Sequence, residues 1–342
     1  YFFLIVESFT PFGRLAHSSV LVENKLYIFG GVTDDYSNEV FYLDLSQQFN
    51  AEYPPWTDLT LNSRIVYEFN LKSGQWIMPV MKGIVPERRR EFQAVADDFG
   101  NIYVFGGIAI GSNNFQIFND MAILYTVDLT WSYGPIVNAP TPRADYTATL
   151  LSDGVIVYIG GRESINASLV DITQLYLYDT RLSSWSIVQA KSNGLIESRF
   201  LHSAVLVSDG RIIIYGGAKD TVIANDVKVS PDLAVLNTQT SPFEWTIPQV
   251  SKSVEVPSLT VHTANLLGNY MIVAFGNITQ PNASPLGTNS RIYLLDIRSY
   301  SWVEKFEPTP INDTPSNSSS ITTTSINSTT SAETANISEN QI

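Results

Sequence analysis

The 342-residue chain contains no cysteine. Disulfides, iron–sulfur clusters, thiolate zinc sites and cysteine nucleophiles are therefore excluded, and the redox state of the compartment is left open. Charge is also scarce. Asp, Glu, Lys and Arg make up 15% of residues, against about a quarter in ordinary soluble domains. Basic residues are the scarcer sign, 20 against 33 acidic, for a net charge of −13. Such a chain lacks the electrostatic footprint of a nucleic-acid binder and is repelled by anionic lipid. No apolar run approaches the ~18 residues of a membrane span, so no direct membrane insertion is expected within this chain. The apolar start, Tyr1-Phe2-Phe3-Leu4-Ile5-Val6, reads either as the remnant of a signal-peptide h-region or as a first β-strand.

Hydrophobic residues reach 44% and aromatics 12%, with Ser, Thr and Asn making up much of the remainder. That balance suits half-buried strands better than helices. The chain is also periodic. Its six tryptophans, Trp56, Trp76, Trp131, Trp185, Trp245 and Trp302, are separated by 20, 55, 54, 60 and 57 residues. A second marker runs in phase: an apolar strand ending in glycine at Gly30-Gly31, Gly106-Gly107, Gly160-Gly161, Gly216-Gly217 and Gly276-Asn277. From the first glycine of each to the phased tryptophan is 26, 25, 25, 29 and 26 residues. An Arg opens most cycles three residues before a His or its substitute: Arg14/His17, Arg90/Gln93, Arg143/Tyr146 and Arg199/His202, with Leu259/His262 keeping only the His. A strand capped by Asp or Asn (Asp44, Asp128, Asp179, Asn237, Asp296) lies between glycines and Trp. Each cycle thus reads as four short strands, a to d, with turn residues between them.

Four-stranded units repeating at about 50 residues are the sequence mark of a β-propeller. In these markers the chain resembles the kelch-repeat family over roughly residues 12–306, with attractin-like, muskelin-like and fungal-type ectodomain propellers as the nearest types. The resemblance implies an all-β kelch-type β-propeller of four-stranded antiparallel blades. Five are complete and one, the second, is partial. Gly30 to Gly106 spans 76 residues, too few for two repeats. What precedes Trp76, Arg64 to Leu71, reads as strands c and d alone. Strands a and b of that blade have no counterpart, which leaves an unpaired edge; residues 47–63 are the expected cover. The domain reading is 1–8 signal remnant or first strand, 9–307 propeller, 308–342 tail.

The repeat itself explains its residues. Glycine lets backbones approach closely where sheets meet, the aromatics fill the wedge between them, and Arg and the Asp caps are expected to link neighbouring blades. His17, His202 and His262 occupy one repeat position, so a structural role outweighs a metal ring. His17-Ser18 and His202-Ser203 are not nucleophile–base pairs, because strand neighbours point to opposite faces. Galactose oxidase also carries kelch-type repeats, but its copper site uses a Tyr–Cys crosslink that a cysteine-free chain cannot form. No cofactor, metal site or catalytic residue is expected.

The b–c loops (32–39, 108–119, 162–171, 218–227, 277–290) and the d–a loops share one face and are long, so a partner is expected there. Asp34, Asp35, Tyr36, Phe115, Arg162 and Lys219 are the candidate contacts. Residues 308–342, rich in Ser, Thr and Asn, cannot bury enough apolar surface to fold and suit a glycosylated stalk. Asn-x-Ser/Thr acceptors stand at Asn166, Asn277, Asn282, Asn312, Asn317, Asn327 and Asn336. The expected function is a non-catalytic module for a protein or glycan ligand, monomeric, secreted or at the cell surface. The alternatives are a hydrolytic or metal-dependent propeller enzyme with its site at the channel mouth, and a cytoplasmic scaffold.

Overall fold

The computed structural model describes residues 10–33, 37, 39–58, 68–70, 75–77, 80–109, 116–163, 169–219, 227–280 and 287–308. These residues form no helix. They form five antiparallel sheets, each with the strand order of the repeat. The first runs Ser18–Val22, Lys25–Phe29, Val40–Asp44 and Trp56–Asp58. The second runs Ala94–Ala96, Asn101–Phe105, Met121–Tyr125 and Thr130–Tyr133. The third runs Thr147–Leu150, Val155–Ile159, Gln174–Asp179 and Ser184–Gln189. Ser203–Leu206, Arg211–Tyr215, Leu233–Asn237 and Glu244–Thr246 make the fourth, and Thr263–Leu267, Tyr270–Ala274, Ile292–Asp296 and Ser301–Val303 the fifth. Glu68–Asn70 and Gln75–Ile77 form a two-stranded hairpin with Phe69 opposite Trp76, in the stretch where the sequence places strands c and d of the expected partial blade.

The sheets stand around an axis with their first strands innermost. Thr147–Leu150 adjoins Ala94–Ala96 and Ser203–Leu206, and Thr263–Leu267 adjoins Ser203–Leu206 and Ser18–Val22. Strands such as Val155–Ile159, Arg211–Tyr215 and Tyr270–Ala274 are apolar and buried almost throughout, as befits sheets with a neighbour on each face. Four clusters fill the junctions second–third, third–fourth, fourth–fifth and fifth–first. Each holds an indole from the outermost strand: Trp185, Trp245, Trp302 and Trp56 are all buried. Trp185 packs on Phe105 of the preceding sheet at 4.9 Å and Trp302 on Tyr215 at 5.0 Å. Trp131, whose preceding element is the hairpin, is only half-buried.

Outer edges are covered by the chain leading into a sheet. Lys82–Gly83, Lys191–Ser192 and Ser251–Lys252 pair in parallel with the outermost strands of the second, fourth and fifth sheets. Within the expected cover, 47–63, Phe49–Asn50 pairs with Lys305–Phe306, stacking Phe49 on Phe306, and so ties the chain after the fifth sheet to the first; residues 59–63 lie outside the described residues.

Two phase assignments also shift. Arg89, not Arg90, takes the repeat arginine's place, with Phe92 in place of Gln93: Arg89 bonds the Gly106 carbonyl at 2.9 Å as Arg14 bonds that of Gly30 and Arg199 that of Gly216. In the fifth sheet the glycine pair is Phe275-Gly276. Phe275 sits at φ +59, where the other sheets have glycine, and its ring stacks on Trp56 at 5.7 Å. Gly216 shows why glycine is the usual choice, since a Cβ there would lie 2.2 Å from the Leu259 carbonyl oxygen of the next sheet. Gly30 at φ +59 meets nothing nearer than the Ser37 carbonyl oxygen, 3.1 Å away in its own sheet. Gly30→Ala is therefore expected to cost the left-handed backbone penalty, about 1–2 kcal/mol, and a small shift of the Ser37 carbonyl. Urea denaturation checks this; a larger loss would mean that another chain segment presses on Gly30.

Candidate functional site

Each first strand is entered through a residue in the left-handed region. Ala16, Glu91, Asp145, Leu201 and Val261 have φ between 52° and 60°. They stand two residues after the repeat arginine position and are linked across sheets, the Asp145 N–H donating to the Glu91 carbonyl, Leu201 to Asp145 and Val261 to Leu201 (2.9, 3.0 and 3.1 Å). Together they rim a cavity of about 1080 Å³ at the end of the axis where the b–c and d–a loops emerge. His17, Val32, Arg90, Phe92 and Arg162 complete much of its wall.

The rim is charged on one side only. Arg162, one of the sequence candidates, reaches from the third sheet's b–c loop to Asp145 (Nε–Oδ2, 2.6 Å) and to Glu91 of the second sheet (Nη2–Oε2, 2.9 Å). Its guanidinium also lies 5.3 Å from the Phe200 ring centre. Arg90 bonds Glu91 at 3.5 Å and keeps half of its side chain in solvent. Asp145 is buried. Burial first, and the Glu91 carboxylate second, push its carboxyl up to about 7, against the pull of Arg162. Sequence reading missed Glu91 and Asp145. Their signal was a carboxylate at a repeat position that holds Ala16, Leu201 and Val261 elsewhere.

The other candidates are not brought into this cluster. Lys219 pairs with Glu197 at 2.8 Å in the fourth sheet. Asn277 is half-buried in Asn277–Ile278, the middle strand of a ribbon between Leu259–Thr260 and Gly287–Thr288. Asp34, Asp35, Tyr36, Phe115, Asn166, Asn282, Asn312, Asn317, Asn327 and Asn336 lie outside the described residues.

The three histidines tie inner strands together. His17 Nε2 meets Thr263 Oγ1 at 2.9 Å, His202 meets Thr147 at 3.0 Å, and His262 meets Ser203 at 2.8 Å. Each hydroxyl begins the first strand of the preceding sheet, so the strand-neighbour pairs His17-Ser18 and His202-Ser203 stay apart as expected. All three rings are buried. Burial, helped by Arg14 and His262, lowers His17 to about 3; burial lowers His262 to about 3 and His202 well below its ordinary value. They are neutral at ordinary pH. No group of three or more histidine and carboxylate residues is placed to hold a metal among the described residues.

The arginines and caps act within a sheet rather than between blades, which corrects the expectation. Arg14 pairs with Glu39 and Arg89 with Asp120 (Nη2–Oδ2, 3.0 Å). Arg199 is held by carbonyls of Glu197, Gly216 and Pro231 at 3.2, 3.0 and 2.8 Å. Where Leu259 replaces the arginine, Asn289 Nδ2 bonds the Phe275 carbonyl instead, at 3.1 Å. Arg143 differs. It is fully buried, none of its three guanidinium nitrogens has a hydrogen-bond partner among the described residues, and it lies 4.8 Å from the Tyr176 ring centre. Asp44, Asp179, Asn237 and Asp296 accept amides of their own following turns.

Radial four-stranded sheets joined by glycine ends, indole wedges and histidine–hydroxyl bonds between inner strands define a repeat β-propeller of the kelch type. The model of the KLHDC2/KLHL20/DRC7 kelch-repeats domain matches residues 4–217, and the chain belongs to the kelch-repeat family. Kelch domain-containing protein 1 of Mus musculus is 27% identical over 176 residues, covering 51% of this chain and 41% of that protein. The Homo sapiens protein of that name is 22% identical over 289 residues, 69% of each. F-box/kelch-repeat protein At1g51550 of Arabidopsis thaliana is 27% identical over 241 residues, 66% of this chain and 46% of that protein. The chain thus spans less than half of the mouse and Arabidopsis relatives.

Proposed function

We propose that the chain is a non-catalytic interaction module that receives a protein partner at the loop-bearing mouth of the ring. The observation that carries this reading is the cavity rimmed by residues from all five sheets, with Arg90, Glu91, Asp145 and Arg162 on one side and an apolar wall of Leu15, Leu201 and Val261 on the other. A rigid ring with a concave, mixed-polarity mouth is a recognition surface. The buried, neutral histidines, each committed to a neighbouring hydroxyl, favour binding over acid–base chemistry there. A secreted or surface location is part of the same proposal, supported by the Asn-x-Ser/Thr acceptors and the Ser/Thr/Asn-rich composition of residues 308–342. Among the described residues no helix is long and apolar enough to cross a membrane.

Arg90→Glu is the test, because half of that side chain is in solvent and its loss leaves no buried group unpaired. The partner, isolated by crosslinking to the wild-type chain, is expected to bind the variant about ten-fold more weakly, the effect of reversing one rim charge. The thermal midpoint should not move. Unchanged affinity would place the site away from the mouth.

A further inference from the structure

Closed junctions in this ring share a set of contacts, and the first sheet offers its half of that set to no described residue. The amides of Gly107, Gly161, Gly217 and Gly276 donate to the carbonyl at the repeat arginine position of the next sheet (Arg143, Arg199, Leu259 and Arg14) at 2.8 to 2.9 Å. The Gly31 amide has no such acceptor among the described residues. Thr147, Ser203 and Thr263 each meet the imidazole of the next sheet. Ser18, at the same position, is exposed and meets none. The carbonyls of Glu91, Asp145 and Leu201 accept the amide of the next sheet's entry residue, and that of Ala16 accepts no such amide among the described residues.

The apolar face repeats the pattern. Val95, Tyr103 and Ile123 are register partners across the second sheet and are 7%, 4% and 4% exposed. Val205, Ile213 and Val235 hold those positions in the fourth sheet and are also buried. In the first sheet they are Val20, Tyr27 and Tyr42. Val20 is 43% exposed and both tyrosines are only half-buried. Across the opening, Ala94 and Ala96 are exposed and Trp131 is half-buried. The mouth cavity extends into this opening, with Ser18 and Gly31 on one wall and Phe92 and Ala94 on the other.

We propose that the opening between the first and second sheets is a docking site for a β-hairpin supplied by a partner chain. The occupant is specified by the closed junctions of this same molecule. Its first strand is entered through a free carbonyl and a histidine, for the Gly31 amide and the Ser18 hydroxyl. Its strands carry alternating apolar residues for Val20, Tyr27 and Tyr42, and it ends in two glycines where the second sheet approaches. Binding supplies two inner strands to the opening, a form of strand addition in which main-chain bonds supply register and alternate side chains supply specificity. The surface adjoins the loop-bearing mouth, and the substitutions below distinguish a partner held at the rim from a hairpin held in the opening.

The probe is a synthetic peptide with this chain's own sequence from Arg199 to Gly217, which carries all of these features. At saturation it is expected to bind one to one, raise the thermal midpoint by about 5 °C and slow exchange of the Gly31 amide. The amides of Gly107, Gly161 and Gly217 should be slow already in the free chain. Val20→Lys and, separately, Ala94→Arg should abolish peptide binding, whereas Arg90→Glu should leave it intact. As a second measurement, the same nineteen residues inserted between Ser63 and Arg64 should raise the midpoint without added peptide. No midpoint shift in either format overturns the proposal. So does binding that survives both Val20→Lys and Ala94→Arg, or protection of Gly31 in the free chain through self-association.

Discussion

Arg199→Met is expected to destabilise the protein by about 3–5 kcal/mol, whereas Arg143→Met should leave stability within about 1 kcal/mol of the parent or raise it. The two arginines hold the same repeat position and both are fully buried. Arg199 satisfies three main-chain carbonyls, those of Glu197, Gly216 and Pro231. A thioether cannot donate to them, so each buried acceptor would lose its partner. Arg143 donates to nothing among the described residues, and burial lowers its proton affinity. Its compensation is the Tyr176 ring face at 4.8 Å, worth about 2 kcal/mol when desolvated. Methionine of similar length removes the desolvation penalty and keeps contact with that ring. Urea midpoints of the two variants decide the matter. Equal losses would mean that Arg143 acquires a partner in solution equivalent to Glu39 for Arg14.

This contrast shows what the sequence could and could not convey. Trp, the glycine pairs and the capped strands are legible because each recurs wherever two sheets meet, and the four-stranded order and the c–d hairpin at Trp76 follow from them. The phase slipped by one residue at two places. In Arg88-Arg89-Arg90 three identical side chains compete for one position, and only the bond to the Gly106 carbonyl selects Arg89. In Ala274-Phe275-Gly276 an aromatic adopts the left-handed backbone that glycine marks elsewhere, so the pair looked displaced. The rim was harder to see. Arg162 was singled out as a loop residue, but its partners Glu91 and Asp145 are 71 and 17 residues away in sequence and become neighbours only when the ring forms. The direction of the arginines was misjudged for a related reason: the sequence shows that an Arg and a capping Asp or Asn recur in most cycles, but not whether their bonds lie within a sheet or between two.

Stability is expected to fall steeply between pH 6.5 and about 4, because three histidines are folded into the ring as neutral bases. A group whose folded affinity for protons is depressed binds more protons when unfolded, so its contribution is complete above the unfolded value of 6.5 and is lost as pH drops toward the folded value. For His17 and His262 that folded value is about 3, and His202 lies well below 6.5. Asp145 works in the opposite sense. Raised from 3.8 to about 7, it binds a proton in the folded chain over the same interval, so its contribution increases as pH falls. Three protons favouring the unfolded state less one favouring the folded state leave two, a slope of about 2.7 kcal/mol per pH unit. Below this window Asp44, Asp97, Asp209 and Asp296, all held lower than their ordinary values by hydrogen bonds, add to the loss. Urea midpoints at pH 7, 6 and 5 measure the slope. His262→Gln keeps a donor for Ser203 but no titrating ring, and should reduce the slope by about 1.4 kcal/mol per unit. Asp145→Asn should increase it by a similar amount. A stability that stays flat from pH 7 to 5, or a slope that ignores His262→Gln, would mean that the imidazoles reach water and that the inner strands are not locked by the bonds from His17, His202 and His262.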